Sequence, residues 1–415
     1  MKILMIFIDA MRVDKLSTYN NMIVEDTVLD KYIKNMGGEV YTNCFTSSPD
    51  TYRSLASLFT GLNSWESNCD SYSKPLNPFG SQYNTIWDEA LNNKFSIDIF
   101  HLPLEKYIFP NSVQKYISNE INIEKFKFDL DLKDNHIVWM GLNDFRHHSY
   151  YSNYNSNKNS ENIEQLKKPL DIMDSNFIEK FDHVFLFSDH GVLFDNEFLT
   201  INTDKKFQIL DHRRTQLLMV HKEQKLNTLK HNNKLYYLSD MHSIISNAIT
   251  KIENKIELDR EYLIVEDMDF ASMDLSSKPS IFSLVTKKEI YIRSFLQKIG
   301  TSNSGPSGDK AFLLNRQSLN GSLINIIPDK DDVLFTNNNF NSIYKIYNFW
   351  MNQKITNEII REELQLPYNS DPDSMGNPIR YSTQFSIFSI GVFIQKVTPP
   401  ILFDFIKSMY KRIMS

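Results

Sequence analysis

Four short, nearly unbroken apolar runs constrain this chain more than any other feature. They are KILMIFID (2–9), HIVWMGLND (136–144), HVFLFSDHG (183–191) and TQLLMVH (215–221). Runs of this length without polar alternation read as strands covered on both faces, the habit of parallel sheets. Helical patterns lie between them, at 27–35, 54–62, 85–92 and 166–180. Strands alternating with helices predict an α/β chain: an α/β/α sandwich around a mostly parallel central sheet. From about residue 266 the patterns shorten. IFSLVTKKEIYIRSF (281–295) reads as an antiparallel hairpin and DDVLFTN (331–337) as a further strand. The expected organisation is therefore an α/β domain over 1–270, a smaller antiparallel-sheet α+β subdomain over 271–345 and a helical tail over 346–415.

Composition removes several classes. Of the 415 residues, 45 are Lys or Arg and 51 are Asp or Glu, a net charge of −6. No global basic field exists, so no nucleic-acid partner is expected. The two cysteines, Cys44 and Cys69, exclude a disulfide scaffold and a Cys-rich zinc module. The apolar start stops at Asp9, too early for a signal peptide, and no run of about 18 apolar residues predicts a membrane span. A cytoplasmic location is expected. The C-terminal ILFDFIKSMYKRIMS (401–415) interleaves an apolar stripe with Lys407, Lys411 and Arg412. It reads as a helix packed on the body or on a partner subunit, or as a peripheral contact with the inner membrane surface. A homo-oligomer is compatible with the first reading.

Open parallel sheets bind ligands beyond the C-terminal ends of their strands. Asp9, Asp144 and the pair Asp189-His190 fall at such ends. Asp9, Asp189 and His190 offer oxygen and nitrogen donors suited to Mn²⁺, Mg²⁺, Ca²⁺ or Zn²⁺. Pro49-Asp50-Thr51 breaks any strand before the 54–62 helix and sets Thr51 near that helix's N-terminus, where an anion is favoured. Alone, Thr51 reads as a helix cap. Beside a metal-ligating set, it becomes a candidate nucleophile.

Taken in order, four segments resemble the alkaline phosphatase/sulfatase superfamily. ILMIFIDAMRVDKLSTYN (3–20) is similar to its opening strand and the Asp-x-x-Arg-x-Asp-x-Leu pattern. TYRSLASLFTGLNS (51–64) is similar to its nucleophile helix. HIVWMGLNDFRHHSYYS (136–152) resembles the strand leading to its Asp-x-His segment, and HVFLFSDHGVLFDNE (183–197) its Ser-Asp-His-Gly turn. A fifth, weaker likeness joins DHRRTQLLMVHK (211–222) to LYYLSDMHSII (235–245). The resemblance covers roughly residues 1–270.

The resemblance implies a metal site of Asp9, Thr51, Asp189 and His190, with Thr51 as nucleophile. It implies that His147 or His148 protonates the leaving group or touches substrate. Arg53, Lys206, His212 and Arg213 would contact substrate, with Lys205 and Asp211 beside them; Arg12 is an alternative anion donor, or a partner of Asp14. Sulfatases of the family convert Cys or Ser to formylglycine. Thr51 cannot undergo that conversion, because its β-carbon carries a methyl group. Threonine is the nucleophile of the family's phosphotransfer branches, so the expected function is transfer or hydrolysis of a phosphodiester, such as phosphoglycerol or phosphoethanolamine transfer onto a glycan. The alternatives are a sulfate or phosphate ester hydrolase and a degenerate binder of anionic glycans. Ala10 stands where the family often has a second Asp. That favours one divalent ion, Mn²⁺ first, over a Ca²⁺ site with four carboxylate or amide ligands.

Overall fold

The computed structural model describes residues 1–67, 83–101, 108–118, 131–142, 163–191, 199–200, 206–207, 212–224, 228–252, 260–267, 281–287, 289–294, 310–315 and 324–327. The chain divides into two compact units, Met1–Ile360 and Arg361–Ser415, and every described residue belongs to the first. The 331–337 strand, the C-terminal 401–415 segment and Cys69 lie outside the described residues.

In chain order the strands are β1 (Lys2–Phe7), β2 (Gly38–Tyr41), β3 (Cys44–Phe45), β4 (Ser96–Phe100), β5 (His136–Gly141) and β6 (His183–Phe187). They continue with β7 (Leu199–Thr200), β8 (Lys206–Phe207), β9 (Met219–Glu223), β10 (Leu229–Asn232) and β11 (Tyr236–Tyr237). Seven of them form the central sheet, ordered β10-β2-β9-β6-β1-β5-β4. β1 pairs in parallel with both β5 and β6, and β4 with β5. β9 alone is reversed, running antiparallel to β6 and β2. The expected TQLLMVH strand thus starts late, at Met219, and runs against its neighbours. β4 (SIDIF) carries polar residues at alternate positions, β2 (GEVY) is broken by Glu39 and β10 (LKHN) is mostly polar, so none offered an unbroken apolar run.

The burial of β1 explains the sandwich. Ile3, Met5 and Phe7 point into one apolar layer with α2 (Thr51–Thr60) and α4 (Ile86–Asn92), α1 (Val28–Met36) and α3 (Ser64–Ser67) being the other helices of this half. The helix Leu238–Thr250 adds Leu238, Met241 and Ile245 to that layer. Leu4, Ile6 and Ile8 enter the opposite layer, against Leu29 and Ile33 of α1 and Leu170 and Phe177. A period of two on a strand covered twice leaves no position for a polar residue. Trp139, Trp87, Phe59 and Phe109 meet at 5.3–5.9 Å in the first layer, Phe59 and Phe109 stacked and the other pairs edge-on or tilted, all fully buried.

The expected 166–180 helix is two pieces, Lys167–Ile172 and Ser175–Ile178. Asp174 breaks it by accepting from the Phe177 N–H and capping the second piece. A separate antiparallel sheet follows: β12 (Leu263–Asp267), β13 (Ile281–Val285), β14 (Glu289–Ser294), β15 (Lys310–Asn315) and β16 (Ile324–Ile327), paired in that order. The 281–295 hairpin is its β13–β14 pair.

Candidate metal and nucleophile centre

The site forms where β1, β6 and α2 converge. Beyond β1 the chain passes through Ile8 and Asp9, then turns at Ala10, whose φ of 50° is left-handed. The turn aims the Ala10 N–H at Asp189 Oδ1, 2.8 Å away. The His190 N–H donates to the same oxygen at 2.8 Å. Asp189 is fully buried, and its Oδ2 makes no hydrogen bond among the described residues. Oδ2 faces His190 Nε2 at 3.5 Å. Burial raises the Asp189 carboxyl to about 7; the Asp9 carboxylate adds to the rise and His190 opposes it.

His190 has a defined tautomer. Its Nδ1 lies 2.9 Å from the Gly191 carbonyl oxygen, which only an N–H there can satisfy. Nε2 faces Asp9 Oδ1 at 3.9 Å and Thr51 Oγ1 at 3.3 Å. Thr51 Oγ1 donates to Asp9 Oδ1 at 3.2 Å.

α2 begins at Thr51, three residues before the expected start. Asp50 is the cap, accepting from the Arg53 N–H at 3.0 Å, so the Thr51 hydroxyl is left for the site. Ser and Thr hydroxyls fasten the approach: Thr46 Oγ1 and Ser54 Oγ are 2.5 Å apart, and both donate to the Ser48 carbonyl at 2.7 Å. At its far end α2 stops at Gly61, left-handed at φ 72°.

The donor set fits one divalent cation. Ligand atoms of Asp9, Asp189 and His190 lie within 4.8 Å of one another in a buried position. A buried carboxylate oxygen without a hydrogen-bonding partner, beside a correctly tautomeric imidazole, is an arrangement that a cation completes.

The other expected site residues fare differently. Arg53 is 1% exposed and forms an internal ion pair with Asp50, with Glu266 Oε1 at 3.6 Å from Nη1. These contacts brace the start of α2. Arg12 is bound to Asp14 by two hydrogen bonds, of 2.8 and 2.5 Å. Arg213 and His212 lie in the short helix His212–Thr215. The Gly191 N–H donates to the Arg214 carbonyl at 2.8 Å, so this helix backs the Asp189–Gly191 turn. Lys206 lies in β8; its side chain and that of His212 are outside the described residues, as are Asp144, His147, His148, Lys205 and Asp211 altogether.

Sequence reasoning missed Asp50 and Glu266. Asp50-x-x-Arg53 carries a capping signal that was readable. Glu266 carries none, since it reaches Arg53 from β12, far along the chain.

No protein-family model and no curated protein sequence matches the chain. Solved structures do. A 2-O GAG sulfatase superposes with a TM-score of 0.52 at 11% identity, over 90% of this chain and 95% of its own. The phosphonate monoester hydrolase of Agrobacterium radiobacter gives 0.53 at 9% identity, over 84% and 95%. An alkaline phosphatase superfamily protein of Vibrio parahaemolyticus gives 0.52 at 11%, over 84% and 88%. The fold is that of the sulfatase-like alkaline phosphatase superfamily. In this chain, Asp9, Thr51, Asp189 and His190 come together from three separate segments, while Arg12 and Arg53 are held by internal carboxylates. Among the described residues, no helix of the sulfatase-like fold is long and apolar enough to cross a membrane.

Proposed function

We propose that this chain is a metal-dependent phosphoester hydrolase or transferase with Thr51 as its nucleophile. The observation carrying this reading is the position of Thr51 Oγ1, at a helix N-terminus, 3.2 Å from Asp9 Oδ1 and 3.3 Å from His190 Nε2. Asp9, Thr51, Asp189 and His190 would hold the cation, which when bound favours ionisation of a hydroxyl and offsets charge on phosphoryl oxygens. Mn²⁺ is our first choice.

The residues' own part in this reading is as follows. The Thr51 proton leaves through Asp9 Oδ1, the atom to which it already donates. Oγ1 attacks phosphorus; the Oγ1–P bond forms as the P–O bond to the leaving alcohol breaks. His147 or His148 gives that alcohol its proton. Water or an acceptor hydroxyl then attacks the phosphothreonine and gives its proton to the same His, while the Oγ1–P bond breaks and Asp9 returns the proton to Thr51 Oγ1. The partial positive charge at the start of α2 favours the anionic group throughout. Lys206, His212 and Arg213 are proposed substrate contacts. The substrate class we favour is a phosphodiester such as phosphoglycerol or phosphoethanolamine, delivered to a glycan.

The likeness to a sulfatase motivates a second reading, sulfate ester hydrolysis. One assay separates the two: turnover of bis-p-nitrophenyl phosphate and p-nitrophenyl sulfate with Mn²⁺, for wild type, Thr51→Ser and Thr51→Ala. Diesterase activity kept in part by Thr51→Ser and abolished in Thr51→Ala is the expected result. Turnover that survives Thr51→Ala would overturn the nucleophile, and a preference for the sulfate ester would favour the second reading.

A further inference from the structure

At the other end of β6, about 20 Å from Asp189 at 3.3 Å per strand residue, three further donors meet. The antiparallel register sets His183 opposite Glu223 and Phe185 opposite His221, all on one face. His183 Nδ1 and His221 Nε2 lie 3.1 Å apart. One ring nitrogen of each histidine and a carboxylate oxygen of Glu223 lie within 4.8 Å of one another. The His221 ring is 6% exposed and lies flat on Phe185, centroids 4.3 Å apart and planes at 2°. That stacking fixes the direction of Nε2. Glu223 is at the surface, so its carboxylate closes the set from the solvent side.

We propose that His183, His221 and Glu223 form a second divalent-metal site, suited to Zn²⁺, at the end of the sheet opposite Asp9 and Asp189. Two imidazoles and one carboxylate are a donor set that Zn²⁺ takes, leaving a position for water. Both rings are ready for it at neutral pH. Burial lowers His183 below its ordinary value and pushes His221 to about 3, so neither is protonated. Without a metal, one ring must donate an N–H across the 3.1 Å gap. With Zn²⁺ bound, the protons sit on His183 Nε2 and His221 Nδ1, and both facing lone pairs bind the ion. The exchange is a change of tautomer, so it releases no net proton. The ion ties β9, the one reversed strand of the central sheet, to β6.

The test is the zinc content of the full chain. Wild type, His183→Gln and Glu223→Gln are stripped with chelator, equilibrated with Zn²⁺ and measured by elemental analysis after dialysis. His183 is half-buried and Glu223 exposed, so neither change opens the core. The expected result is one ion per chain fewer in His183→Gln than in wild type, and at least tenfold weaker binding of that ion in Glu223→Gln. Diester turnover with Mn²⁺ should be the same in all three. This difference of one ion is expected whether or not the Asp9–Asp189–His190 centre also binds metal, so the two readings stand or fall separately. Equal zinc content in wild type and His183→Gln, or unchanged affinity in Glu223→Gln, would overturn the site and leave a simple histidine–histidine hydrogen bond.

Discussion

The backbone N–H of Ala10 donates to Asp189 Oδ1 at 2.8 Å, joining the exits of two neighbouring parallel strands. The bond exists because Ala10 adopts φ 50°, a region where an L-residue pays about 1–2 kcal/mol. Ala10→Gly is expected to stabilise the fold by up to about 1 kcal/mol. Ala10→Val sets a β-branched side chain at positive φ and should cost about 1–3 kcal/mol. Urea unfolding of the three proteins checks this, and a valine variant as stable as wild type would contradict the strained turn.

Asp189 supplies a pH dependence whose sign can be worked out. Its ordinary value is 3.8, and burial carries it to about 7. The folded chain therefore holds this proton more tightly than the unfolded one. The contribution to stability is complete below the unfolded value and is lost as pH rises through about 7. With chelator present, wild type should lose Tm relative to Asp189→Asn between about pH 5 and 8. Added Mn²⁺ should reverse that trend, because a cation competes with the proton for the same carboxylate. Parallel Tm profiles with and without Mn²⁺ would argue against a cation at Asp189.

Glu266 reaches across from β12 to the ion pair at the start of α2. It is fully buried, lies 3.6 Å from Arg53 Nη1 and accepts from Ser64 Oγ at 2.7 Å. Removing one partner of a buried ion pair strands the other charge, at a cost of about 3–5 kcal/mol. Arg53 keeps Asp50, so Glu266→Ala should cost about 3 kcal/mol in urea unfolding. We expect diester kcat to fall as well, since Asp50 caps the helix that begins with Thr51. Unchanged kcat in a destabilised Glu266→Ala would separate fold support from site support.

Gly191 has no room for a side chain. A Cβ there would lie 1.9 Å from the Arg213 carbonyl oxygen and 3.4 Å from Arg12 Cγ. Gly191→Ala must push the Arg213 backbone or the His190 turn, at about 1–3 kcal/mol. Because the Gly191 carbonyl sets the His190 tautomer, the loss should appear in metal affinity as well as in Tm. Titration with Mn²⁺ followed by calorimetry measures both.

The sequence made the doubly covered strands legible because a strand buried on both faces must be apolar at every position. β1, β5 and β6 stand out for that reason, and with them Asp9 and Asp189 at their tips. β4, reading SIDIF, alternates and was passed over, although it pairs with β5 along its length. The reversal of β9 could not be read, since an apolar run carries no direction. Thr51, Asp9 and His190 were legible as a set through the order of four segments. The cap at Asp50 was legible in principle, for the Asp-x-x-Arg spacing is local. Glu266 was not, because its partnership with Arg53 exists only once β12 has been laid down beside α2.

The reversal of β9 has a consequence for how such a chain can diversify. β6 ends at Phe187 and β9 begins at Met219, opposite it in register. The intervening stretch, 188–218, therefore leaves the sheet and rejoins it at the same rim, the one that carries Asp9 and Asp189. No crossover depends on its length. Residues between Gly191 and His212 can be added, deleted or exchanged while every strand of the central sheet keeps its neighbours and its alignment. A parallel strand at that position would have forced the same stretch to travel back across a face of the sheet, and its length and the architecture would then have been bound to change together.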